Sequence, residues 1–299
     1  MKKLSVIVDW LEFTVLEAQM PEVMKLMELK WDNFSPLNKG RFGYHNQSKW
    51  QDDVKVNMKS GVHVMITGQG CKQYSVNHDL VFLIQKLHKQ KKVNFSRIDL
   101  AIDDYESKII NYDRIHTAAM NGEFTSRWSK WDEVNSRQTS TNEFLGRTMY
   151  FGSQASDLFC RIYDKTLERK ANSDAEIDIL RTWTRLEIVY RKDRAKKLAN
   201  YIVNSKLPLG HVVRGTLNQY LRFLIPSNDS NKARWKTVGW WDELLSNVSK
   251  LSLTIEKEAK TIEDMTNWLD QQISPTIAAV VKAQGGDLAW LRSILVKGS

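Results

Sequence analysis

Residues 96–105 read SRIDLAIDDY. Ile98, Leu100 and Ile102 fall on one side of this run, and Arg97, Asp99, Ala101 and Asp103 on the other. A period of two specifies a β-strand with one face for a core and one for charge. Two later stretches alternate in the same way. In LFCRIYDK (158–165), Phe159, Arg161, Tyr163 and Lys165 oppose Cys160, Ile162 and Asp164. In TWTRLEIVYR (182–191), Leu186, Ile188 and Tyr190 oppose Trp183, Arg185, Glu187, Val189 and Arg191. If the three strands are neighbours, one sheet face gathers Asp99, Asp103 and Glu187 with Arg161, Tyr163, Lys165 and Arg185.

Outward from these strands the chain divides into two kinds of pattern. SVIVDWLEFTV (5–15) and GVHVMITGQGC (61–71) read as strands, the second ended by a Gly-Gln-Gly turn. RTMYFGSQASDLFCRIYDKTLE (147–168) reads as two strands around a GSQASD turn. MPEVMKLMELKW (20–31), NHDLVFLIQKLHKQKK (77–92, capped by Asn77), NYDRIHTAAMNGEF (111–124) and DRAKKLANYIVNS (193–205) read as helices. RWSKWDEVNSRQTSTNE (127–143) reads as a polar loop bearing tryptophans. Beyond residue 207 helical patterns dominate: WWDELLSNV, TIEDMTNWLDQQI, PTIAAVVKAQ and DLAWLRSIL. Few β-α-β alternations occur, so the expected class is α+β: a mostly antiparallel sheet with packed helices, followed by a smaller helical region. The expected division is an α+β domain over 1–205 and a helical region over 206–299.

With 299 residues, 42% of them hydrophobic, the chain can bury a sizeable core. A formal net charge of +9 favours a polyanionic partner, nucleic acid first and an acidic membrane surface second. Cys71 and Cys160 have no CxxC spacing, which argues against a disulfide framework or zinc site and fits a reducing cytoplasm. The opening MKKLSVIVDWLEF is interrupted by Asp9 and Glu12 and reads as a strand, not a signal peptide. No apolar run approaches a membrane span.

Carboxylates without nearby cysteine or histidine favour a hard cation, Mg²⁺ or Mn²⁺. Asp99, Glu187 and Asp103 are the expected ligands. Arginine and lysine beside them suit a phosphate. A tyrosine hydroxyl between the two can attack phosphorus, which makes Tyr163 the candidate nucleophile. Arg161 and Lys165 would either favour its phenolate or clamp flanking phosphates. The same alternation describes an ordinary half-buried sheet whose wet face carries ion pairs. Tyr150 and Tyr190 are rival tyrosines, and His63 stands alone on its strand. For nucleic-acid contacts the candidates are Arg185, the basic helix end with Lys86, Lys89 and Lys91, and the loop residues Trp128 and Lys130.

VDWLEFT, HVMITGQGC, SRIDLAIDD, YFGSQASDLFCRIYDKTLE and WTRLEIVYR, in that order, resemble the Rep-trans family of replication initiation proteins. That family takes in rolling-circle plasmid and phage initiators and MobT-like relaxases, and the resemblance covers most of residues 5–200. It implies a site-specific DNA strand transferase, a tyrosine nickase and ligase. The tyrosine of RIYDK, Tyr163 here, would attack an origin phosphate, leaving a 5′-phosphotyrosine link and a free 3′ hydroxyl. It also implies a divalent metal, supercoiled or single-stranded origin DNA as partner, dimerisation and a host helicase of the UvrD/PcrA type. Gln154 departs from the basic residue that many relatives carry after the hairpin Gly-Ser, which removes one phosphate contact. A replication initiator is the first reading. A conjugative-element relaxase, a metal-dependent nuclease using water and a non-catalytic origin-binding protein are the alternatives.

Overall fold

Ten strands pair in one antiparallel sheet, in the order β2-β3-β4-β5-β1-β6-β11-β10-β9-β8. They are β1 (Ser5–Leu16), β2 (Phe34–Leu37), β3 (Asn46–Trp50), β4 (Val54–Met58), β5 (Gly61–Ile66), β6 (Val93–Asp104), β8 (Trp131–Arg137), β9 (Phe144–Phe151), β10 (Leu158–Asp164) and β11 (Thr184–Arg191). A second, two-stranded sheet joins β7 (Phe124–Ser126) to β12 (Leu221–Phe223). The computed structural model describes residues 4–37, 46–50, 54–58, 61–90, 92–171, 182–205, 207–246, 266, 274–289 and 291–293. The chain is α+β, with helices packed on an antiparallel sheet.

The apolar faces read from the alternation form the core. Leu11 and Phe13 of β1, Ile98, Leu100 and Ile102 of β6, Ile162 of β10 and Leu186 and Ile188 of β11 are all buried in one cluster. Helices cover that side: α1 (Met20–Met27), α3 (Leu80–His88), α6 (Asp193–Ser205) and α7 (Leu209–Tyr220). Leu83, Ile84 and Leu87 of α3 and Leu198 and Ile202 of α6 point into the same cluster, the spacing of one helical face. Burying side chains of this size stabilises by about 1.5–3 kcal/mol each, so the alternation dictates which face of the sheet the helices cover.

Several elements differ from the sequence reading. GQG does not end as a turn: Gly68–Tyr74 is a helix, α2. Asn77 does not cap α3; Asp79 does, accepting from the backbone N–H of Val81 and Phe82 at 2.7 and 3.0 Å. The polar segment expected as a loop contains β8, an edge strand whose side chains from Glu133 to Arg137 are exposed. An edge strand without a buried face has no hydrophobic alternation to reveal it.

The chain forms two compact units, Met1–Leu253 and Thr254–Ser299. The division expected at residue 205 falls inside the first. Val212, Val213 and Leu217 of α7, and Trp241, Leu244 and Leu245 of α8 (Gly239–Leu245), join the same core as the sheet. The second unit contains α9 (Ser274–Ala283). All of the expected helix TIEDMTNWLDQQI except Thr266 lies outside the described residues.

Candidate functional site

β6, β11 and β10 are consecutive in the sheet. Arg185 pairs in register with Asp103 on one side and Tyr163 on the other, and Glu187 with Ala101 and Arg161. Asp99, Asp103, Arg161, Tyr163, Arg185 and Glu187 therefore share one face, opposite the helix-covered core. Lys165 stays beside that face, its Nζ 5.4 Å from the centre of the Tyr163 ring, although it no longer belongs to the strand. Asp164 ends the strand by accepting from the N–H of Leu167 at 3.0 Å, a helix cap, and Lys165 opens α5 (Lys165–Ala171).

Tyr163 donates its hydroxyl to Glu187 Oε1 at 2.5 Å. Glu187 is fully buried, and its other oxygen receives Nε and Nη2 of Arg161. Burial pushes Glu187 upward, but the charges of Arg161 and Arg185 and the phenol hydrogen bond hold its carboxyl below the usual range. The phenol moves the other way. Burial, then the charge of Glu187, push Tyr163 well above the ordinary tyrosine value, with Arg185 opposing. The resting phenol is neutral, contrary to the expectation that Arg161 and Lys165 would favour the phenolate. Arg161 is aimed at Glu187, and Lys165 pairs with Glu168 at 2.5 Å.

Arg185 is a structural hub and not an exposed DNA contact. Its side chain is 7% exposed. Nε and Nη2 grip both oxygens of Asp103 at 2.6 and 2.8 Å, and Nη1 reaches Asp9 Oδ1 at 2.6 Å. The indole N–H of Trp183 adds 2.8 Å to Asp103 Oδ1. Asp99, also fully buried, is gripped at both oxygens by Arg97 at 2.9 and 2.6 Å. Its burial nevertheless raises it to about 6, against the pull of Arg97.

Asp9 belongs to this cluster and the alternation did not reveal it. Counting by twos puts Asp9 on the side of Leu11 and Phe13, which face the core. A register shift between Val8 and Trp10 inserts Asp9 as an extra residue and sends its carboxylate to Arg185. Burial and the neighbouring Glu187 charge raise Asp9 to about 7, and the two side chains share a hydrogen bond.

The three expected ligands do not assemble as one set. Asp99 and Asp103 each give both oxygens to an arginine. Among the described residues no group of three or more His, Cys, Asp or Glu side chains is placed to hold a metal ion. Asp9 and Glu187 are adjacent carboxylates that repel each other, while Tyr163 and Arg161 engage the two Glu187 oxygens.

The other expected DNA contacts lie elsewhere. Lys86 pairs with Glu28, and α3 sits across the sheet from Tyr163. Lys89 is exposed at the end of α3, and Lys91 lies outside the described residues. Lys130 pairs with Asp132 at 2.8 Å. Trp128 is a packing anchor: its indole N–H reaches the Leu158 carbonyl at 2.9 Å, and its ring lies 5.1 Å from that of Tyr220. Of the rival tyrosines, Tyr190 is buried in the core with its hydroxyl on Thr216 at 2.8 Å. Tyr150 stands beside Arg161 on the charged face. His63 contacts Thr14 at 2.9 Å and Glu12 at 3.2 Å, away from the tyrosine.

Comparison with known proteins adds independent findings. Residues 93–295 match the family described as "Replication initiation factor", and residues 5–79 match "Rolling Circle replication initiation protein N-terminal domain". The chain is 26% identical over 270 residues to "Putative DNA relaxase NicK" of Bacillus subtilis (strain 168), covering 87% of this chain and 76% of that protein. It is 25% identical over 188 residues to a replication initiation protein of Staphylococcus aureus, covering 60% of this chain and 53% of that protein, about half its length. The structure of a rolling circle replication initiator protein from Geobacillus stearothermophilus superposes with a TM-score of 0.74 at 30% identity, covering 84% of this chain and 98% of that one.

Proposed function

The chain belongs to the replication initiation factor family, and from that premise we propose that it is a rolling-circle initiator that nicks one DNA strand through Tyr163. The observation that carries this reading is the 2.5 Å hydrogen bond from the Tyr163 hydroxyl to a buried, arginine-held carboxylate. Glu187 is kept ionised and so accepts the phenol proton. The Tyr163 oxygen attacks phosphorus, the bond from phosphorus to the 3′ oxygen breaks, and that oxygen takes up the transferred proton. The products are a 5′-phosphotyrosine and a free 3′ hydroxyl. The ester keeps the energy of the broken linkage, so the reverse attack religates the strand without a nucleotide cofactor.

Asp9 and Glu187 would hold Mg²⁺ or Mn²⁺, whose chemistry is to stabilise negative charge building on the phosphoryl oxygens. Arg161 orients Glu187, and Arg185 holds Asp9 and Asp103 in place. We assign this chemistry to the sheet and origin contacts to its loops and to residues beyond 205. Origin DNA is the partner this reading requires. A second copy of the chain and a host helicase of the UvrD/PcrA type complete it on the strength of the family resemblance. Among the described residues no helix is long and apolar enough to cross a membrane, and the substrate places the protein in the cytoplasm under this reading. A relaxase would make the same first cut, and the two differ in the DNA they serve.

The test uses supercoiled DNA bearing the cognate origin, with Mn²⁺ or Mg²⁺, and a denaturing gel read for protein-linked 5′ ends. Wild type forms the adduct. Tyr163→Phe loses it and still binds the DNA. An adduct that persists in Tyr163→Phe overturns the assignment, and cleavage that leaves a free 5′ phosphate identifies a water nucleophile.

A further inference from the structure

Beside Tyr163 the charged face opens into a trough of about 400 Å³ between the β8–β9 pair and α5. Its walls include Ser136, Thr148, Tyr150, Arg161 and Glu168. Register places Thr148 opposite Tyr163 and Tyr150 opposite Arg161, so these four side chains lie on one face. Gly146, opposite Ser136, forms the floor. A Cβ built there would meet only the Ser136 Cβ, at 4.0 Å, and nothing closer. A side chain added at residue 146 would find open space on this face, and the backbone there would accept one.

We propose that this trough receives one unstacked base of the strand being cut, with Tyr150 as its stacking surface. The proposal rests on the nicking reading above. Tyr163 is 8% exposed and sits at a strand end beside α5, where a stacked duplex cannot bring phosphorus to the hydroxyl. The nucleotide at the cut must leave the stack, and its base needs a place to go. Tyr163 itself lines the trough, which has the size of a small-molecule site. A tyrosine ring presents a face to which any base can stack, while Ser136, Thr148 and Glu168 offer donors and acceptors to its edge. Arg161 stands between trough and carboxylate. Its Nε and Nη2 serve Glu187, and its side chain is 30% exposed on the trough side, where a phosphate joining that base would pass.

The test is photocrosslinking of the full chain to an oligothymidylate of about 15 nucleotides carrying 5-iodouracil, a length within the single-strand site range. Adducts are mapped by mass spectrometry. Wild type gives a crosslink at Tyr150. Gly146→Leu fills the floor and lowers that yield about tenfold, the size expected for losing one stacked base. Ser136→Leu enters the trough from an exposed edge strand and does the same, which decides the matter if Gly146→Leu fails to fold. Tyr163→Phe leaves the crosslink intact. No crosslink at Tyr150, or an unchanged yield in a folded filled variant, overturns the proposal. The nicking reading fails separately, on an adduct that survives Tyr163→Phe.

Discussion

At Tyr163 the phenol is held neutral by burial and by the carboxylate that is placed to take its proton. Glu187→Gln keeps the size and a hydrogen bond but removes the acceptor charge. Nicking at saturating DNA should fall about 10²–10⁴-fold, the range for loss of a positioned base, as measured by adduct formation. Arg185→Leu tests the hub instead. It leaves Asp9 and Asp103 buried without their shared cation, which should cost about 3–5 kcal/mol in denaturant unfolding. The cysteines give a pH statement of definite sign. Burial is the largest influence on both Cys71 and Cys160 and raises each thiol above its ordinary value. The nucleophilic thiolate is therefore scarcer in the folded chain than in the unfolded one at any pH below those raised values. At pH 8 Ellman's reagent should titrate neither thiol in the native protein and both in denaturant. Rapid native reaction would show that the core does not seal these two thiols from solvent.

Among the elements, what alternation could show and what it could not have physical causes. β6, β10 and β11 were legible because each has one fully buried face, and a slip of one residue would turn every charge into the core. Their adjacency was not in the alternation, since strand order follows from the whole chain. Asp9 was hidden by the bulge in β1, which breaks the period at the one position where the site needs it. Lys165 was read as strand because a cap, not a change of periodicity, ends β10, yet its side chain still lies over the Tyr163 ring. That cap positions the tyrosine: Asp164 turns the chain into α5 one residue after Tyr163. Asp164→Ala should lower stability by about 1 kcal/mol, a shift of about 2–4 °C in melting temperature. A larger loss of nicking than of stability would show that the turn also aims the phenol. Gly152 is the matching constraint on the next hairpin. Its φ is +93°, and an added Cβ would lie 2.7 Å from Trp128 Cδ1, so the indole that anchors this corner leaves no room for a side chain.

For the molecule as a whole, the net charge of +9 is not gathered at the site. Four carboxylates, Asp9, Asp99, Asp103 and Glu187, face three arginines, Arg97, Arg161 and Arg185, with the Lys165 ammonium over the Tyr163 ring, so the fully ionised cluster carries no net charge. The positive excess therefore lies outside the cluster. It attracts DNA to the protein, but it does not by itself draw a phosphate to Tyr163. A bound divalent cation would make the local charge positive. Two measurements separate these contributions. Affinity for a single-stranded oligonucleotide should fall with salt, log K against log salt having a slope of about −0.7 per phosphate neutralised. That slope belongs to the surface and should be the same in Tyr163→Phe. Chelation by EDTA should weaken oligonucleotide binding in wild type. At pH 8, above the raised Asp9 value of about 7, Asp9→Asn removes one negative charge from the cluster together with one proposed cation ligand, so its binding in EDTA should be tighter than that of wild type and should gain little from Mn²⁺. If Asp9→Asn instead binds more weakly than wild type in EDTA, the cluster's charge does not oppose the phosphate, and the cation is not what admits the strand to the site.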